Sequence, residues 1–466
     1  MKNEIKDKKN KPKPVKADAK PSAGSKAGKG SKSSPKAANS PTRKSVPKTV
    51  QESPVPVRAK SSSVRQQAQT NTAGRGKSSA NNVRKRKKPK YAASVKIFAA
   101  VLPVLLIAVV VAVNRDDIKY SNVSYFFKSL LYSFSAGKGY PYEIPSSDKS
   151  TVDLIGSGIL MTDRDSIKVL NASARETMSG QNTFSDTAAD VCNGRAILYD
   201  RESGGFRVAG RTGDLFNSKV SRNIFTAAIG KKGNFAVASG SKSATSELNV
   251  YDTSKVQIFT WLCEAERISA VALSDNGKSA AAAVVGAKDG ELYSKLYIFD
   301  FDKKEPVLSF IYPETVLMKV RFTQKRTVTA VGDSLLSAVN LKTGEKQDVL
   351  FESSTLHRFD LNECGKTACV LAAFGSTLKN KLKVFSPDGE LLFEKNLNGE
   401  VGWISCDKGH TSVLLGDKVQ SYNNSGELSG TIKLDSDADK ILLKGNAVYV
   451  VGGGKINRFT ALDNGQ

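Results

Sequence analysis

Four segments in the C-terminal part of the chain share one grammar: IFTAAIGKKGNFAVAS, ISAVALSDNGKSAAAAVV, LHRFDLNECGKTACVLAA and VGWISCDKGHTSVLL. Each reads as an apolar or alternating strand, a tight glycine-bearing turn followed by Lys, Asn or His, and a second strand of small apolar residues. This is a hairpin signal. A second hairpin follows each one, in ELNVYDTSKVQIFTW, KLYIFDFDKKEPVLSF, KLKVFSPDGELLFEKN and KVQSYNNSGELSGTIK. The repeating unit is therefore four strands. Equivalent third-strand positions are Leu170, Ala209, Tyr251, Phe299, Val339, Phe385, Tyr422 and Phe459, successive ones lying 37 to 48 residues apart.

A four-strand repeat of about 40 residues marks the blade of a β-propeller. A sandwich or an up-and-down barrel carries no fixed four-strand period. The expected fold class is thus all-β, an eight-bladed propeller over residues 139–466, with seven blades as the alternative. The last repeat ends at Gln466 before a fourth strand can form. The extended segment GYPYEIPSS, Gly139 to Ser147, is otherwise unassigned and is expected to supply that outer strand, joining the two ends of the domain.

Upstream of the repeats the composition changes. Residues 1–90 hold 26 Lys and Arg against 4 Asp and Glu, so the tail carries +22 of the chain's +25. Its Lys, Pro, Ser, Ala and Gly offer too little apolar surface to offset the entropy of ordering, and a disordered basic cytoplasmic tail is expected. Gly76-Lys77-Ser78 does not complete a phosphate-binding loop, because the position five before Gly76 is Asn71. No aromatic residue precedes Tyr91. Stacking platforms for bases are missing from the tail, and no sequence-specific nucleic-acid binding is expected.

The tail runs into RKRKKPKYAASVKIFAAVLPVLLIAVVVAVNRDD. No charge occurs from Ile97 to Val113, and with Lys96 snorkelling the segment is long enough for a bilayer core that needs about 20 helical residues. Residues 91–114 are read as a signal-anchor helix. It is too long for a signal-peptide core, begins too far from the N-terminus and lacks an evident cleavage site. Arg84, Lys85, Arg86, Lys87, Lys88 and Lys90 flank one side and are expected at the anionic headgroups, which keeps the N-terminus in the cytoplasm and exports the C-terminal part. Residues 115–138 place Val123, Phe126, Phe127, Leu130, Leu131 and Phe134 at helical spacing, as in an amphipathic helix lying at the interface or under the following domain.

The order of basic tail, single membrane helix, GKGYPYEIP, GRAILYDRESGGFRV, LNVYDTSK and AVALSDNGKSAAAAVV resembles a family of membrane-anchored propeller proteins of Gram-positive bacteria that carries a domain of unknown function. The similarity is best over residues 115–350. It implies fold and topology and carries over no catalytic or binding residue. The SDNGK turn is also similar to propeller repeats of the WD40 and TolB types, without the Trp-Asp pair of the former.

Groups that carry chemistry are sparse. His357 and His410 are the only histidines; His410 is read as a turn residue and His357 as a strand residue with a structural partner. Ser386-Pro387-Asp388-Gly389 is read as a tight turn. Five cysteines, Cys192, Cys263, Cys364, Cys369 and Cys406, form no CxxC pair. Cys364 and Cys369 flank a turn and could pair across it, while the others are read as small buried residues of inner strands. No catalytic residue, metal ligand or cofactor is expected. The functional expectation is a non-enzymatic, membrane-tethered scaffold or adaptor that binds an envelope protein or polymer outside the cytoplasm. The alternative is an enzyme or small-ligand receptor using the central channel.

Overall fold

The computed structural model describes residues 135–144, 150–323, 326–363, 365–373 and 379–460, with Phe98, Val101, Leu102, Leu105, Ala108 and Leu131 as isolated positions. The chain divides into Met1–Lys87 and Lys88–Gln466, and all described residues belong to the second unit. The tail and most of the expected anchor lie outside the described residues. Phe98, Val101, Leu102, Leu105 and Ala108 are helical and exposed. Among the described residues no helix is long and apolar enough to cross a membrane. Of the expected amphipathic helix, Leu131 is helical and the chain is irregular from Ser135.

The described residues build eight four-stranded antiparallel sheets. Blades 1 to 7 span 151–181, 187–219, 224–263, 267–313, 317–350, 354–398 and 401–433; blade 8 comprises the strands of 440–460 with one from the N-terminal side. All eight third-strand positions expected from the repeat fall on third strands. The longest interval, from Tyr251 to Phe299, arises because blade 4 extends its central strands, Ser279–Lys288 and Glu291–Asp300, to 10 residues each.

Ring closure uses the expected segment, though over a shorter length. Tyr142–Glu143 pairs antiparallel with the third strand of blade 8, Tyr142 opposite Ile456 and Glu143 opposite Lys455. Ile144 N–H extends the ladder to the Gly454 carbonyl at 2.9 Å. Pro141 has no N–H and cannot continue the ladder toward Gly139. The preceding residues instead cross blade 1. Asn171 Nδ2 donates to the Ser135 carbonyl (2.8 Å), and Gly137 and Gly139 N–H donate to Ser173. Tyr140 then meets Tyr449 of blade 8 edge-on at 5.3 Å. One short segment thus joins the first blade to the last.

The core is divided among the blade interfaces. Eight buried apolar clusters are present, one between each pair of neighbouring blades. This follows from strand alternation, which turns successive side chains to opposite faces of each blade, so every blade is apolar on both faces. The SPDG turn of blade 6 is tight, with Gly389 N–H bonded to the Ser386 carbonyl at 3.0 Å. Gly389 (φ +86°) lies so near Ala338 of blade 5 that an added Cβ would stand 2.8 Å from its methyl group. The turn also accepts the Thr323 and Thr329 hydroxyls at the Pro387 carbonyl, 3.2 Å each.

Candidate functional site

Carrying the third-strand equivalences inward through the strand registers aligns the innermost strands. In blade 3, Tyr251 pairs with Phe235 and Phe235 with Ile229; in blade 6, Phe385 pairs with Thr367 and Thr367 with Leu361. The position just before each such residue faces the central channel in every blade. Blades 3 and 4 place Ala228 and Ala272 there. The other six place Asp153, Asp190, Arg321, Asp360, Ser405 and Leu442.

This ring position carries a recurring clip between blades. Asp190 Oδ2 accepts the Ile229 N–H of blade 3 at 3.1 Å, Asp360 Oδ2 the Cys406 N–H of blade 7 at 2.7 Å, and Ser405 Oγ the Leu443 N–H of blade 8 at 3.1 Å. Each donor belongs to the residue just after the ring position of the next blade. Arg321 and Leu442 offer no acceptor to the blades that follow them.

Across the channel, charges meet. Asp190 Oδ1 receives Lys319 Nζ and an Arg321 guanidinium nitrogen from blade 5, both at 3.3 Å. Nearby, Asn193 N–H at the turn of blade 2 donates to Glu363 Oε1 of blade 6 at 3.3 Å. These contacts divide the channel. On the side of blades 3 and 4 they leave a pocket of about 20 Å³ against Ala228 and Ala272. On the other side lies a chamber of about 300 Å³, walled by Asp153, Asp190, Arg321, Asp360, Trp403 and Lys440 among others. There Lys440 Nζ pairs with Asp153 at 2.8 Å and lies 5.1 Å from the centre of the Trp403 ring.

The two clipping aspartates differ in electrostatics. Burial alone would push the pKa of Asp190 up, but Lys319 and Arg321 outweigh it and hold the carboxyl below its ordinary range. Burial likewise pushes that of Asp360 up, and here it prevails over the Cys406 N–H and the more distant Arg321. Arg321 is itself opposed by burial and kept charged chiefly by Asp190. Its Nε is buried without a hydrogen-bond partner.

The residues singled out in the sequence sit elsewhere. A ring nitrogen of His357, Nε2, lies 3.2 Å from the Val401 carbonyl and binds blade 6 to blade 7. His410 ends its turn and opens the second strand of blade 7, with its carbonyl accepting Lys366 Nζ at 3.0 Å. Cys192 and Cys406 are on innermost strands as expected, whereas Cys263 ends the outermost strand of blade 3. It is nonetheless buried, because its side chain turns into the interface with blade 4, where its thiol meets Glu266 at 3.4 Å. Cys369 is a free, buried thiol, so it forms no disulfide, and Cys364 lies outside the described residues. Burial pushes the Cys192 and Cys369 thiols up to about 12, far from a reactive thiolate. The expected headgroup contacts, Arg84, Lys85, Arg86, Lys87, Lys88 and Lys90, lie outside the described residues. The channel ring was missed, although an acid within an apolar strand just before a turn, as in HRFDL, was a usable signal.

Residues 139–460 match a family of unknown function, DUF5711. None of the curated proteins matches the chain. Among solved structures, the C-terminal WD40 domain of Sif2 is similar at 13% identity and a TM-score of 0.50, over 69% of this chain and 98% of that one. BamB from Moraxella catarrhalis is similar at 14% identity and a TM-score of 0.44, over 69% and 100%. Hydrazine synthase of Kuenenia stuttgartiensis is similar at 12% identity and a TM-score of 0.41, over 71% and 100%. Identities this low show the fold alone.

Proposed function

The chain belongs to the family of unknown function DUF5711, and we propose that it is a non-enzymatic propeller scaffold that binds a protein or envelope polymer. In this reading Ile97 to Val113 anchors it in the cell membrane, with the basic tail in the cytoplasm and the propeller outside. Arg84 to Lys90 then rest on anionic headgroups, each contributing about 1 kcal/mol to that contact. The observation that carries the scaffold reading is how the channel charges are used. Asp190 is committed to Lys319, Arg321 and a neighbouring backbone N–H, and Asp153 to Lys440. Such groups fasten blades to one another, and what remains for partners is the pair of wide loop faces. A rigid face binds without a further cost of ordering.

Two experiments test this. Cysteines introduced at Ser40 and at Asp148 are exposed, on intact cells, to a membrane-impermeant thiol reagent. The expected outcome is labelling at 148 and not at 40, and the reverse pattern removes the topology. The full chain is then crosslinked in native membranes to identify its neighbours, alongside hydrolase and dehydrogenase panels on the purified protein. Turnover that a single channel-lining substitution abolishes overturns the scaffold reading.

A further inference from the structure

We infer that the outer edge of blade 3, the strand Gln257–Cys263, is a docking site for an extended, largely apolar segment of a partner protein, which adds to the blade as a fifth, antiparallel strand. This deepens the scaffold reading by adding a surface at the rim to the two loop faces. It rests on that reading only for the partner's being a protein, and a channel-dependent turnover that removed the scaffold reading would leave peptide binding at this edge unaffected.

The outermost strand of a blade has one side of its backbone unpaired, so each blade ends in a row of N–H and C=O groups able to template another strand. Proteins blunt such edges with charge or proline. Six edges here carry charge: Glu176, Asp214, Asp348, Lys395, Lys433 and Glu143 lie on the outer strands of blades 1, 2, 5, 6, 7 and 8. The edge of blade 4, Leu308–Pro313, is uncharged and ends in a proline, which has no N–H to give. The edge of blade 3, Gln-Ile-Phe-Thr-Trp-Leu-Cys, has neither charge nor proline along its seven residues. Its β-branched and aromatic residues favour strand. The one irregularity in its pairing lies at its start, so the register runs unbroken from Phe259 to Cys263.

Burial alternates along this strand. Phe259, Trp261 and Cys263 turn toward blade 4, where the rings of Phe259 and Trp261 lie 5.4 and 4.8 Å from that of Phe299. Ile258, Thr260 and Leu262 are exposed, Ile258 at 41% and Leu262 at 46%. An added strand therefore meets apolar or β-branched neighbours on both of its faces, which favours β-branched residues in the occupant. Charge is confined to the two ends, with Lys255 before the strand and Glu264 after it, both exposed. An antiparallel occupant starts opposite Glu264 and finishes opposite Lys255, so the complementary segment is basic at its first residue and acidic at its last. A second copy of this chain is a poor occupant. The strand pairs antiparallel with itself about Thr260 only if one copy is inverted, whereas copies anchored in one membrane, each entering its ring where Ser135 meets Asn171, present this edge in one direction.

The test uses the full chain in detergent and the end-blocked peptide Lys-Val-Thr-Val-Thr-Val-Glu. Trp261 fluorescence is followed in a Trp403→Phe background, where Trp261 is the sole tryptophan. Saturable binding is expected with a Kd no weaker than about 1 mM. Two further peptides, methylated at the valine or at the threonine nitrogens, separate backbone pairing from apolar adhesion. Alternate N–H groups point at the edge, so one of the two should lose binding. Glu-Val-Thr-Val-Thr-Val-Lys reverses the end charges and should bind about twofold or more weaker. Leu262→Lys, and separately Ile258→Lys, charge an exposed position of the edge and should weaken binding about fivefold or more with an unchanged melting temperature. The inference falls if the first peptide does not bind up to about 1 mM, if both methylated peptides bind as it does, if the reversed peptide binds as tightly, or if both folded lysine variants bind it fully. It also falls if sedimentation shows the full chain associating with itself and Leu262→Lys dissolving the assembly, because a second copy is then the occupant.

Discussion

The channel wall has two unlike sides. Blades 3 and 4 present Ala228 and Ala272 at the ring position, both almost fully buried, and their innermost strands pack closely on each other and on blade 5. Volume is restored further out, where Phe259, Trp261, Tyr297, Phe299 and Phe301 gather between the same two blades. Blades 1, 2, 5 and 6 present Asp153, Asp190, Arg321 and Asp360 at the ring position instead. One side is held by contact between small groups, and the other by charge and hydrogen bonding across a gap. A ring of eight similar blades need not be uniform. The same four-strand unit can be closed at its inner edge by packing or by ion pairs, and only the second arrangement leaves a polar chamber.

The comparison is broken most strongly at Asp190. Asp190→Leu leaves Lys319 and Arg321 facing an apolar group, and loss of one partner from a buried pair costs about 3–5 kcal/mol. Denaturant titration should show a fall of that size at neutral pH. Because the folded carboxyl titrates below its ordinary range, its contribution is present above the unfolded value near 4 and fades as pH falls through the folded one. Parent and variant should therefore converge in acid.

Ala272→Leu probes the opposite side. It adds bulk to a pocket of about 20 Å³ between closely packed strands. Overpacking of this kind costs about 1–3 kcal/mol, and the melting temperature reads it. An unchanged melting temperature would mean that the blade 3 and 4 side is not packed as described.

The smallest effect is expected at Asp360, and it has the other sign. Burial raises its folded titration point, so the charged form opposes folding, and stability declines as pH rises from the unfolded value toward the folded one. Asp360→Asn should thus match the parent near pH 3 and exceed it at neutral pH by roughly 1 kcal/mol or less. A loss like that of Asp190→Leu would show that the two aspartates are equivalent in energetics as well as in position.

Much of the fold is legible in the order of residues. The spacing of Leu170, Tyr251, Phe299, Phe385 and Phe459 marks a third strand in every blade it touches, because a propeller blade closes most of its hydrogen bonds within some 40 consecutive residues. Closure by the segment after Gly139 is legible for a related reason, since an unpaired last strand is an exposed edge. Cys263 and Cys406 are buried as expected and Cys192 is half-buried, but the expectation for Cys263 named the wrong strand. Alternation fixes which face a side chain takes and leaves the order of strands within a blade to chain connectivity.

What the sequence determined by itself is therefore mostly local: strand, turn, repeat length and the partner of the last edge, while the choice of eight blades over seven came from the assembled sheets. The meeting of Asp190 with Arg321, 131 residues later in the chain, is of another kind. No spacing rule links them, because which inner strands approach across the channel depends on how closely every intervening pair of blades packs. Ala228 and Ala272 let blades 3 to 5 draw together, and with that approach the bridge, the small pocket and the chamber beside Asp360 arise together. Ion pairs across a ring are settled by the sum of its interfaces, and only the assembled tertiary structure carries that sum.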